Sequence, residues 1–293
     1  MSIGRTAAFS PTRIEPAAAP TRADFLGVPI DCMTMSETLG TVDRALTERR
    51  LLHHVSLNVA KFVAMRSDAE LARDVRGSHV VGIDGMGILW AARLLGIAVP
   101  ERVAGIDLMG GVLALAAEKG YRPYLLGARA AVLDAAVAAL KRRHPSLTLA
   151  GWRNGYFKAA EEAEIVAGIR AAKADCLFIG LPTPRKERFL AAHREALGVP
   201  FVMGVGGSFD VLAGHVRRAP KAVQAAGGEW LFRLAQEPRR LAPRYLRTNL
   251  AFAGILAAAL LHRAGAASDG GRGRARPAAA ERRVRLARSV DTT

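Results

Sequence analysis

From Phe25 onward short apolar runs alternate with longer segments of helical period, the pattern of a largely parallel sheet covered by helices. Strands are predicted at Leu51 to Leu57, His79 to Ile83, Tyr121 to Leu126, Leu147 to Ala150, Cys176 to Ile179 and Phe201 to Val205. Thr34 and Glu37 have capping-box spacing, and Met35, Leu39, Val42 and Leu46 follow at helical period, so a helix should start there.

Most of the strand candidates end in Gly, Asn or Asp. Open α/β sheets bind ligands in the crevice beyond the carboxyl ends of their strands. The residues gathered there would be Ser56 and Asn58, Asp84 and Gly85, Gly127, Gly180 to Pro184, and Gly204 to Ser208.

The pattern changes near Pro220. Trp230, Phe232, Tyr245 and Phe252 are interleaved with Arg233, Arg239, Arg240, Arg244, Arg247 and Arg263. The apolar run from Leu250 to Leu261 is shorter than the ~20 residues of a spanning helix, and fits a basic amphipathic helix in a membrane interface or one packed on the domain. Residues 1–23 read as a disordered leader without the continuous apolar stretch of a signal peptide, so the chain should stay inside the cell. Residues 24–219 read as the α/β catalytic domain, 220–264 as a helical membrane-associating appendage and 265–293 as a disordered basic tail.

Composition narrows the partners. A formal net charge of +16 calls for an anion: nucleic acid, an acidic membrane surface or a phosphorylated substrate. Aromatics make up only 6%, and no basic-aromatic pattern suggests a base-stacking platform, which argues against a nucleic-acid surface. Cys32 and Cys176 lie far apart in apolar contexts and suggest buried thiols in a reducing compartment. The histidines form no zinc set, since the adjacent His53 and His54 would face opposite sides of a strand.

The segment "GIDGMGILW" offers Gly85 and Gly87 at the first spacing of a dinucleotide fingerprint, with Asp107 as the later acid; Trp90, however, stands where a small residue is needed. Gly204 and Gly206 also lack a third glycine, with Phe209 in its place. No Walker loop, Gly-x-Ser-x-Gly elbow or Asp-x-Asp pair occurs, so a bound diphosphate would rely on arginine, lysine and helix N-termini, with Arg102 well placed.

In order, "VSLN", "GIDGMGILWAARLLG", "ERVAGIDL", "YLLGA", "GLPTPRKERFL", "GVGGSFDVLAGHVRRAP" and "EWLFRLAQEPRRLAPRYL" resemble the WecG/TagA/CpsF glycosyltransferase family, from about Phe25 to Leu246. The resemblance implies a Rossmann-like α/β fold and an inverting, metal-independent enzyme without a cofactor. Such an enzyme would move a sugar from a UDP-sugar to a polyprenyl-diphosphate-linked sugar at the cytoplasmic membrane face. In family members the donor is often UDP-N-acetylmannosamine and the acceptor N-acetylglucosamine-diphospho-undecaprenol; relatives in exopolysaccharide assembly transfer other hexoses.

Carried over by position, the resemblance makes Asp84 the general base, against the alternative of a helix N-cap worth ~1 kcal/mol. Ser56 and Asn58 would bind sugar hydroxyls, or merely form a turn; Arg102 would hold the diphosphate, or lie solvated at the surface. Gly85, Gly204 and Gly206 would leave room for substrate, and Asp107 could equally cap its helix. Lys186 departs from the family pattern, standing where glutamine is usual; lysine only donates and adds charge, which leaves the donor sugar open and favours an exopolysaccharide-type hexosyltransferase. Arg233, Arg239, Arg240, Arg244 and Arg247 would contact anionic lipid, while Arg217 and Arg218 fit either the site or the membrane set. A nicotinamide-dependent oxidoreductase and a nucleic-acid-binding protein using the arginine-rich tail are the alternatives. Lipid-facing and self-associating patches share one sequence signature, so a homo-oligomer stays open.

Overall fold

The computed structural model describes residues 21–272. The expected leader therefore lies outside the described residues except for its last three positions. These belong to a strand that the sequence reading missed: β1 (Thr21–Phe25) pairs antiparallel with β2 (Val28–Cys32). Leu26 and Gly27 both have positive φ, 53° and 84°, the conformation of a two-residue hairpin turn matched to strand twist.

The capping box forms as expected: Thr34 caps α1 (Met35–Thr47) and Glu37 reaches back to the Thr34 backbone. The chain continues through β3 (Leu52–Leu57), α2 (Val59–Ser67), α3 (Ala69–Arg76), β4 (Val80–Ile83), α4 (Met86–Leu94) and α5 (Gly105–Lys119). Then come β5 (Pro123–Gly127), α6 (Ala130–Arg143), β6 (Gly151–Arg153), α7 (Glu162–Ala171), β7 (Cys176–Gly180), α8 (Arg185–Leu197), β8 (Phe201–Gly204) and α9 (Ser208–Leu212). The C-terminal helices are α10 (Lys221–Ala225), α11 (Glu229–Gln236) and α12 (Pro238–Arg272).

Strands β3 to β8 form one parallel six-stranded sheet in the order β4-β3-β8-β7-β5-β6. Their alternation divides the core. Leu125, Phe178, Phe201 and Met203 face a layer built from α1, α5 and α6, whereas Leu126, Leu177, Ile179 and Val202 face α7 and α8. The strand expected at Leu147 to Ala150 lies a few residues later. Leu147 is buried in the core without pairing, and β6 forms where Gly151 lets the Tyr124 ring come close: a Cβ there would lie 2.7 Å from it.

At the other edge, Asp31 covers β4 by accepting from the Val81 N–H at 2.7 Å, itself held by Arg22 at 2.8 and 2.9 Å. An exposed ladder edge is thereby blunted. Phe25, Phe62 and Phe252 pack in tilted and edge-to-face pairs, ring centroids 5.2 to 6.5 Å apart, and join the hairpin, α2 and α12.

The described chain separates into a compact unit through Phe252 and a second unit from Ala253. Helix α12 runs to Arg272, past the expected boundary at 264/265, and tolerates Pro243 inside it. By length and composition alone Pro238–Arg263 is long and apolar enough to cross a membrane. The uncharged stretch between Arg247 and His262 nevertheless spans only about 21 Å, less than the ~30 Å of a hydrocarbon core.

His53 and His54 on β3 are 2% and 1% exposed, and their ring nitrogens have no hydrogen-bond partner. Burial, with nearby cations, lowers their pKa values to about 3 and about 4. The unfolded chain therefore binds protons below pH 6.5 that the folded chain refuses, and stability should fall with pH from 6.5 towards 4. The slope is about 1.4 kcal/mol per pH unit for each histidine. Urea midpoints should drop between pH 7 and 5, less so for His54→Leu; equal slopes in the two proteins would refute this account.

Candidate active site

The crevice lies beyond the carboxyl ends of β3, β4, β7 and β8. Asp84 follows β4 and is part-buried; its Oδ1 accepts from the Gly105 N–H at 3.0 Å. Gly105 opens α5, whose N-cap Ala104 has no side chain to offer, so Asp84 caps a helix from 21 residues away. The cap alternative is thus realised, but on α5 and not on the adjacent α4, whose start has no side-chain cap bond. Burial raises the Asp84 pKa, against the Gly105 N–H and the Arg102 charge, which lower it. One carboxylate oxygen is committed to structure, and the group as a whole is inclined to take up a proton.

Ser56 and Asn58 lie beside it. Ser56 Oγ is buried without a partner, and a Cβ on Gly105 would come within 2.9 Å of it. Asn58 caps α2, its Oδ1 accepting from the Lys61 N–H at 3.0 Å. Gly85 and Gly87 allow the start of α4 to approach α2: added Cβ atoms would meet Asn58 at 3.3 Å and Val59 at 2.7 Å. That close approach accounts for both glycines of the apparent dinucleotide fingerprint. Trp90 does not pack into the sheet; it is exposed on the outer side of α4.

Arg102 donates to the Asp84 carbonyl oxygen and to Glu229, both at 3.3 Å. Arg218 donates to Asp107, to Glu229 at 3.1 Å and to Gln224 at 2.9 Å. Arg218 therefore belongs to the site and not to an outward basic set, and Asp107 serves as its partner in the first turn of α5 instead of as the N-cap. Glu229 draws α11 over the end of the sheet, which turns Arg233 inward: a Cβ on Gly207 would lie 3.4 Å from its Nη2, and its buried Nε has no partner. Arg239, Arg240, Arg244 and Arg247 are exposed on α12.

On the other side, Lys186 is buried over Gly204, where a Cβ would collide with its stem at 2.8 Å. Its amine bonds the Thr183 hydroxyl and pairs with Glu187 Oε1 at 3.1 Å; Lys61 pairs with the same oxygen at 3.0 Å. Burial and the Lys61 charge lower the Lys186 pKa to about 8. Burial alone would raise the Glu187 pKa, but the two ammonium groups outweigh it and hold it low. Gly206, φ 52°, forms the bend after β8.

The structure thus places Ser56, Asn58, Asp84, Gly85, Arg102, Lys186 and Gly204 at or beside the carboxyl ends of the adjacent strands β4, β3, β8 and β7, with Gly206 on the loop after β8. Sequence reasoning missed Lys61, Glu187 and Glu229. A lysine two residues past a helix cap and a glutamate beside Lys186 were visible, but their pairing was not.

A part-buried carboxylate at a strand end, with the Arg102 guanidinium beside it and Arg218 joined to Arg102 through Glu229, suits base-assisted transfer from an anionic donor. The chain belongs to the WecG/TagA/CpsF glycosyl transferase family, whose profile matches residues 23–266. It is 34% identical over 157 residues to the N-acetylglucosaminyldiphosphoundecaprenol N-acetyl-beta-D-mannosaminyltransferase of Bacillus spizizenii (strain ATCC 23059 / NRRL B-14472 / W23), covering 54% of this chain and 60% of that protein.

Proposed function

We propose that the chain is an inverting glycosyltransferase that moves a hexosyl or N-acetylhexosaminyl group from a UDP-sugar to a polyprenyl-diphosphate-linked sugar during surface-glycan assembly. The observation that carries this reading is Asp84: a carboxylate of raised pKa at a strand end, adjacent to Arg102 and Ser56-lined space. Its free oxygen takes the proton from the acceptor hydroxyl as that oxygen attacks the anomeric carbon, and UDP leaves from the opposite face. Arg102 and Arg218, with Arg233 beside the Gly204–Ser208 loop, supply the positive charge a departing diphosphate needs. Ser56 Oγ, buried and unpartnered, is available to a sugar hydroxyl. The exposed arginines of α12 hold the enzyme at the anionic inner face of the membrane, where the lipid-linked acceptor lies.

The relative's name supports an N-acetylmannosaminyl donor and an N-acetylglucosamine-diphospho-undecaprenol acceptor. Lys186 supports a different sugar. The test is a screen of UDP-sugars against a short-chain polyprenyl-diphosphate-linked acceptor, following UDP release and product mass. One donor should give a product heavier by one glycosyl residue; no transfer from any UDP-sugar would refute the reading.

A further inference from the structure

Six large hydrophobic side chains, Trp90, Leu94, Trp230, Leu231, Leu246 and Leu250, are exposed on α4, α11 and the first half of α12. Trp90 and Leu94, 53% and 61% exposed, are four residues apart and share a face of α4. Their elements touch. A Cβ on Gly227, in the turn before α11, would lie 3.0 Å from the Trp90 ring, and the Trp230 ring centroid is 6.2 Å from that of Tyr245 on α12. Arg239, Arg240, Arg244 and Arg247 are exposed on the same α12 segment, which has no acidic residue between Pro238 and Leu250; Glu237, just before it, pairs with Arg240.

We propose that the Trp90–Leu94 face of α4 is itself a membrane-contacting surface, seated with α11 in the headgroup region of an anionic bilayer. Helix α4 begins two residues after Asp84, and Trp90 lies about 6 Å further along its axis than Met86. The bilayer contact therefore extends from the C-terminal arginines to the edge of the crevice, and a lipid-linked diphosphate reaches Asp84 without leaving the headgroup layer. Tryptophan favours this depth because its ring is apolar and its N–H stays wet. The charge selects lipid over a second copy of the chain: an isologous pair through this face would set its arginines against their own copies, whereas anionic lipid complements them. The proposal rests on the glycosyltransferase reading only for the acceptor's location; the contact is measured without turnover.

The chain has three tryptophans, so Trp152→Phe with Trp230→Phe leaves Trp90 as the sole emitter. Phosphatidylglycerol-containing vesicles should shift its emission to the blue, and brominated acyl chains should quench it. Vesicle-bound protein with unmoved, unquenched Trp90 emission would overturn the proposal, as would a blue shift that grows with protein concentration in the absence of vesicles, the signature of self-association. Leu94→Glu should weaken vesicle partitioning roughly tenfold while turnover on a water-soluble short-chain acceptor stays unchanged; unchanged partitioning would count against the proposal. Absence of sugar transfer by the wild-type chain, with the Trp90 response intact in the single-tryptophan protein, would sink the enzymatic reading and leave the membrane surface standing.

Discussion

Asp84→Asn should lower turnover with a UDP-sugar and a lipid-diphosphate-linked acceptor by a factor of about 10²–10⁴ while the fold persists. The separation of effects comes from the two oxygens. Oδ1 accepts the Gly105 N–H at 3.0 Å, and asparagine can keep that bond through its amide oxygen; the other position becomes an NH₂ that cannot take a proton. Because burial raises the Asp84 pKa, its charged form opposes folding at neutral pH, so the neutral asparagine should leave thermal stability equal or higher. Asp84→Ala removes both functions and should also lose about 1 kcal/mol with the α5 cap. If asparagine retains activity, Asp84 is only a cap. The pH profile gives a second check: a base of raised pKa places the acid limb of kcat/KM above the ordinary carboxylate range, and that limb should vanish with the residue.

Local rules exposed much of this arrangement in the sequence. The Thr34–Glu37 capping box, the parallel strands and the crevice beyond their ends follow from spacing and hydrophobic period, which act within a few residues. The β1–β2 hairpin did not, because a leader-like composition hid a turn made by Leu26 in a positive-φ conformation that sequence does not announce. Strand β6 was displaced because Leu147 signals burial, not pairing. At the site, Asp84 was visible as an acid at a strand end, but its cap to Gly105 depends on where α5 docks. Arg102 and Glu229 are 127 residues apart, and only the fold could show that Glu229 of α11 also holds Arg218 and that Arg233 of the same helix reaches the loop after β8. The direction of an arginine is a tertiary property; its presence is a sequence property.

Glu187→Ala should destabilise the protein by about 3–5 kcal/mol, because it strips the shared counter-ion from two buried ammonium groups. Glu187 is 2% exposed, and its Oε1 receives Lys61 at 3.0 Å, Lys186 at 3.1 Å and the Thr183 hydroxyl at 3.2 Å. With two cations and one anion the cluster already carries excess positive charge, which helps to hold the Lys186 pKa down at about 8. Lys186→Gln leaves a balanced Lys61–Glu187 pair and should cost far less than Glu187→Ala. The same imbalance predicts a pH signature. Between about pH 8 and 10.5 the unfolded chain holds a Lys186 proton that the folded chain has released, so the free energy of unfolding should rise with pH by up to about 1.4 kcal/mol per unit. Urea denaturation of the wild type and Lys186→Gln across this range isolates that component: the wild-type curve should climb relative to the variant's, and parallel curves would mean that Lys186 stays charged in the fold. An anionic group bound beside Lys186 would favour its charged form, whereas glutamine offers such a group no charge. Donor preference should therefore change in the Lys186→Gln protein under conditions where its stability does not.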